Sequence, residues 1–80
     1  MWYYMTKYSF ESTKEVFGPF KTEEEAYRKM RENAYNEYRI DVNENEWNTD
    51  IYEDEDSKEI TIVNHFSSDD DITEFFIFEI

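Results

Sequence analysis

Residues 2–10, WYYMTKYSF, are rich in aromatics and free of breakers, and Trp2, Tyr4, Thr6, Tyr8 and Phe10 share one face, so the segment reads as a first strand. Glu11-Ser12-Thr13-Lys14 reads as a turn. Val16-Phe17 adds at most a short second strand, ended by Gly18-Pro19, the only Gly and the only Pro in the chain. The period then changes. Thr22 followed by Glu25 is a capping box, and Glu23-Glu24-Glu25 place acids where the helix dipole favours them. Ala26, Met30, Ala34 and Tyr38 recur every four residues, flanked by Tyr27 and Tyr35, which predicts an amphipathic helix over roughly 23–39.

The rest of the chain returns to strand patterning as a β-meander. Trp47–Glu53 forms one strand, Asp54–Ser57 a turn, Glu59–Phe66 the next strand and Ser67–Asp71 a second turn. Ile72–Ile80 closes the meander with Ile72, Phe76, Phe78 and Ile80 on one face and Phe75 and Ile77 on the other. A strand apolar on both faces belongs in the middle of a sheet or under cover on both sides. The expectation is one α+β domain over residues 1–80, an antiparallel sheet of four to five strands in the order β(β)αβββ with one helix packed on it.

Composition supports an ordered fold despite low mean hydropathy. The sixteen aromatics can each bury roughly 150–250 Å², and leucine is absent, with Ile, Phe and Tyr favouring strands in its place. Without cysteine there is no disulfide framework and no thiolate metal site. No apolar run approaches the ~18 residues of a membrane span, and Met1–Lys7 lacks the basic and apolar regions of a signal peptide. A soluble, intracellular protein, without cofactor and without membrane association, is expected.

Charge changes this picture most. Residues 1–40 carry seven acids and seven bases, whereas residues 41–80 carry fourteen acids and one base, Lys58, so the whole net charge of −13 belongs to the second half. The acids cluster in 53-EDED-56 and 69-DDD-71. Each cluster taken singly is a solvated turn, because Asp and Ser are turn formers. Together they lie at opposite ends of the meander, with Glu44, Glu46, Asp50, Glu59 and Glu74 placed to fill the face or edge between them. Alternate residues of a strand stand about 6.7 Å apart on one face, comparable to neighbouring phosphates of a nucleic-acid strand, and such a one-sided field attracts cationic surfaces from a distance.

Other chemistries fit less well. The segment Asp54-Glu55-Asp56-Ser57-Lys58-Glu59 lacks the glycine of a calcium loop and carries a lysine inside it. His65 is the only histidine, in a strand with Thr61 and Val63 opposite the Ile60/Ile62 face, and no serine sits in a nucleophile motif. Carboxylates in polar turns have nothing to raise a pKa for acid–base work, so no enzymatic activity is expected. Surplus Tyr and Trp beside an acidic surface suit a protein interface; stacking on nucleic acid would need a basic groove beside them, and the sign of the charge argues against direct nucleic-acid binding.

In its size, its 53-EDED-56 and 69-DDD-71 clusters, its helix start at Gly18-Pro19-Phe20-Lys21-Thr22-Glu23-Glu24-Glu25-Ala26 and its sheet-plus-helix layout, the chain resembles the small acidic inhibitors carried by phages and mobile elements, particularly anti-CRISPR and anti-restriction proteins that act as DNA mimics. The resemblance implies a non-enzymatic inhibitor that occupies the basic DNA channel or PAM-reading site of a CRISPR effector and blocks target DNA. It implies contacts from Glu44, Glu46, Asp50, Glu53, Asp54, Glu55, Asp56, Glu59, Asp69, Asp70, Asp71 and Glu74. A generic acidic interaction module, a homodimeric structural domain and an inhibitor of a restriction enzyme remain alternatives, with the protein a monomer or a homodimer.

Overall fold

The computed structural model describes residues 1–12, 14–45 and 47–80. Strands β1 (Trp2–Tyr8) and β2 (Lys14–Phe20) form a hairpin, helix α1 (Glu23–Glu44) follows, and β3 (Asn48–Asp54), β4 (Glu59–His65) and β5 (Asp70–Glu79) complete the chain. The strands make one antiparallel sheet in the order β2-β1-β5-β4-β3. The expected α+β architecture is therefore present, and β5, apolar on both sides, sits at the centre as its pattern requires.

One side of the sheet holds the core. Tyr4 on β1, Phe75 on β5 and Ile60 and Ile62 on β4 pack against Met30 and Ala34 of α1, all of them buried. Ala26 and Ala34 keep the helix surface low enough to approach the sheet closely, and the buried helical residues are those of the predicted stripe. The Tyr4 ring stacks on Phe17 at 4.7 Å and on Phe20 at 6.1 Å, while its hydroxyl accepts a hydrogen bond from the Asn33 side chain. Aromatic bulk here does the work that leucine does in most cores.

β1 stops at Tyr8, β2 and β5 begin at Lys14 and Asp70 inside the expected turns, and two boundaries differ further from the sequence reading. Gly18-Pro19 does not end the second strand, because β2 runs on to Phe20 through an irregularity in its pairing between Trp2 and Tyr4 of β1. A bulge and a proline are both tolerated in an edge strand, where the missing N–H faces outward. The helix runs to Glu44, five residues past the predicted end. Its last turn is stopped by Asn45, whose N–H donates to the Asp41 carbonyl at 2.8 Å and whose Oδ1 accepts from the Trp47 N–H at 3.0 Å. The Thr22 cap is as predicted, with its hydroxyl accepting from the Glu25 N–H at 3.1 Å. The helix is not long and apolar enough to cross a membrane.

Candidate protein-binding surface

Strand alternation divides the sheet into a side under α1 and an open side that no element covers among the described residues. Register assigns the open side residue by residue: Tyr3, Met5 and Lys7 of β1 lie opposite Phe78, Phe76 and Glu74 of β5, and Lys7 also faces Lys14 of β2. Glu59, Thr61, Val63 and His65 of β4 continue the same rows onto Asp54, Tyr52, Asp50 and Asn48 of β3. Charge is therefore segregated across this side. Lys7 and Lys14 occupy the β1–β2 flank, and Asp50, Asp54, Glu59, Asp70 and Glu74 occupy the β5–β4–β3 flank.

Between the flanks runs an apolar band. Tyr3 stacks on Phe78 with centroids 5.5 Å apart, and Met5, Phe76, Ile72 and Val63 are each only partly covered. Val16 and Tyr52 at the margins are exposed, at 53% and 59%. Phe76 and Phe78 were legible as one apolar face of β5, but the band as a whole appears only once β1, β4 and β5 are in register. A single helix is too narrow to cover both sides of five strands, so this band is left bare.

The predicted acids separate into groups. Asp50 and Asp70 bracket His65 on the open side, with Oδ atoms 3.0 Å from Nε2 and Nδ1 respectively. The two hydrogen bonds raise the His65 pKa above its ordinary value. Asp54 and Glu59 face each other directly across β3 and β4, and neither is ion-paired among the described residues. Glu55 and Asp56 are exposed in the connecting turn, where Asp54 Oδ1 accepts from the backbone N–H of Asp56 at 3.0 Å and of Ser57 at 3.3 Å. Asp69 lies in the opposite turn, Glu74 stands exposed on β5, and Glu44 stands exposed at the end of α1.

Glu44, on α1, is off the open side, and two of the expected strand contacts face the other way. Glu53 is on the helix side of β3, where its carboxylate accepts from Arg31 Nε at 2.7 Å, from the Tyr35 hydroxyl at 2.9 Å and from the Tyr27 hydroxyl. Burial pushes its pKa up, but the three donors outweigh burial and hold it below the usual value. Asp71 also lies on the helix side, opposite Asn64, and is partly buried. The signal was available in the parity of the strands, since Glu53 alternates with Ile51 and Asp71 with Thr73. Glu46 lies outside the described residues.

Lys58, the lone base of the second half, takes a left-handed turn conformation at φ 56° and bonds to Glu23 of α1 at 2.7 Å, so its charge is directed to the helix. Among the described residues no group of three or more His, Cys, Asp or Glu side chains is arranged to hold a metal ion. No protein-family description matches the chain, and no curated protein and no solved structure is significantly similar to it.

Proposed function

We propose that this protein is a non-enzymatic inhibitor that binds the cationic, DNA-contacting surface of a nuclease or CRISPR effector and so excludes target DNA. The observation that carries the reading is Asp54 directly opposite Glu59, with Glu55 and Asp56 in the adjoining turn, Glu74 in the next row and Lys58 turned away to Glu23. Like charges directly opposite each other across a sheet destabilise it. A fold that keeps them gains when a basic partner neutralises them, and the field steers that partner in from solution. The neighbouring apolar band supplies the desolvated contact area that a purely anionic surface lacks.

The test is competition. The protein is pre-incubated with a CRISPR effector complex or a restriction endonuclease, and binding of the cognate DNA duplex is followed by mobility shift over a salt series. Wild type is expected to displace DNA, less so as salt rises. The variant with Glu55, Asp56, Glu59 and Glu74 all changed to Lys is expected to lose the effect, and these exposed residues spare the Glu53 and His65 contacts. Displacement that is insensitive to salt, or that survives in the variant, contradicts the proposal.

A second reading has its own support, a face-to-face homodimer. A two-fold axis along β5 sets β2 of one copy over β3 of the other, which brings Lys14 above Tyr52 and its neighbours Asp50 and Asp54 while the apolar bands meet. Light scattering distinguishes them. A dimer that dissociates on Val16→Glu favours this reading, and a monomer removes it.

A further inference from the structure

On the helix side, away from the open face, a cleft of about 430 Å³ lies between the C-terminal half of α1 and the β1–β2 hairpin. Its floor is apolar, formed by Phe17 and Phe75. Three carboxylates from two elements line it: Glu15 on β2 and Glu37 and Asp41, one turn apart, on α1. No Lys, Arg or His lines it among the described residues. Glu15 accepts from the Tyr8 hydroxyl at 3.0 Å and Asp41 from the Asn64 side chain at 2.9 Å. Glu37 has no hydrogen-bond donor among the described residues.

A second observation points to an occupant. Thr6, in the wall of the cleft, is 2% exposed. Its hydroxyl has no hydrogen-bond partner among the described residues, although no sealed side-chain polar atom there lacks one. The hydroxyl therefore opens into the cleft, which Phe17 and Phe75 also line. Burial, followed by the proximity of Asp41 and Glu15, raises the Glu37 pKa, the response of an anion kept without a counter-charge.

We propose that this cleft binds one aliphatic cation, an alkylammonium or alkylguanidinium group, with its charge among Glu15, Glu37 and Asp41, its methylenes on Phe17 and Phe75, and Thr6 accepting one of its N–H groups. Long cationic side chains lay their stems on apolar surface and keep the head among polar groups, and this cleft offers both. Such a group comes from a lysine or arginine of a partner protein or from a free polyamine. The inference is independent of the inhibitor reading, since it uses none of the acids on the open face.

The test is titration of the ¹⁵N-labelled protein with N-acetyl-lysine methylamide, N-acetyl-arginine methylamide and spermidine, followed by amide shifts. Saturable shifts at Thr6, Asn33, Asn36 and Glu37 are expected, with dissociation constants in the millimolar range for the single side chains. Glu37→Gln is expected to weaken binding about fivefold or more, and Glu15→Gln, on the exposed edge strand, to do likewise should the first variant fold poorly. The Glu55/Asp56/Glu59/Glu74 charge reversal should leave these shifts in place. Binding of spermidine alone assigns the cleft to a free polyamine, and binding of the amino-acid probes assigns it to a partner side chain. Shifts confined to the turns at 54–57 and 66–69, or none at millimolar probe, overturn the proposal, whatever the competition assay shows.

Discussion

Arg31 Nε lies 2.7 Å from Glu53 Oε2, joining the exposed flank of α1 to the outermost strand of the meander. Tyr27 and Tyr35 donate to the same carboxylate from the turns on either side of Arg31, so one acid of β3 holds three residues of the helix. Glu53→Gln keeps the shape but removes the charge that organises these donors, and a hydrogen bond to a charged group contributes ~1.5–3 kcal/mol. A loss of about 2 kcal/mol in urea unfolding is expected. Because the folded pKa is lowered, this stability is present above the unfolded value, about 4.3, and disappears as pH falls through the folded one. The variant should therefore show a flatter stability curve below about pH 4; an unchanged curve contradicts the role.

His65 provides the opposite sign. A neutral imidazole has one N–H, yet both ring nitrogens stand 3.0 Å from carboxylates, so the protonated ring satisfies both contacts. The hydrogen bonds to Asp50 and Asp70 raise its pKa above 6.5. The stabilisation is fully present below about 6.5 and is lost as pH rises through the folded value. Proton NMR of the ring should give a midpoint above 6.5, brought down by Asp50→Asn or Asp70→Asn. A midpoint at or below 6.5 in the wild type would show that the bracket does not hold in solution.

Gly18 is required by two independent constraints. Its φ of +141° is a conformation L side chains rarely adopt, and a Cβ would stand 2.7 Å from Tyr3 Cδ1. Gly18→Ala is expected to cost roughly 1–3 kcal/mol and to disturb the Tyr3–Phe78 stack, visible as changed near-ultraviolet circular dichroism. Wild-type stability in this variant would mean that the edge strand relaxes freely.

Asn45 holds the junction between α1 and β3. Its side-chain nitrogen is 2.9 Å from the Asn48 carbonyl and 3.2 Å from that of His65, while its backbone N–H closes the helix. Asn45→Ala should destabilise by about 1 kcal/mol and speed hydrogen exchange at Asn45 and Trp47. Exchange unchanged at these amides would assign the helix stop elsewhere.

The helix stripe, the capping box and the central place of β5 were legible because each depends on neighbours within a few residues. The end of the helix was not. Ile40 and Val42 are exposed and weak helix formers, and what carries the helix past them is tertiary: Asn64 of β4 binds the Asp41 carboxylate. Gly18-Pro19 read as a stop because its tolerance depends on β2 being an edge, a property of the whole sheet. Glu53 merged with its acidic neighbours in sequence, although parity alone separates it from them. The cleft on the helix side left a trace as well: Asn33, Glu37 and Asp41 follow Ala26, Met30 and Ala34 by seven residues, about 20° round the helix, so polar groups take over where the buried stripe should continue.

The pairing of β1 with β5 has a kinetic consequence. Trp2 pairs with Glu79 and Tyr4 with Ile77, whereas the β1–β2 hairpin and the β3–β4–β5 meander are each built from neighbours in sequence. Pairings of long range carry the greatest loop-closure cost and slow the search for the native state. The neutral and the anionic halves of the chain are thus expected to assemble as two local pieces and to join last along this seam. Tyr4 and Met30 of one piece and Phe75, Ile60 and Ile62 of the other share one core only at that step, so until then each piece leaves part of its apolar surface uncovered.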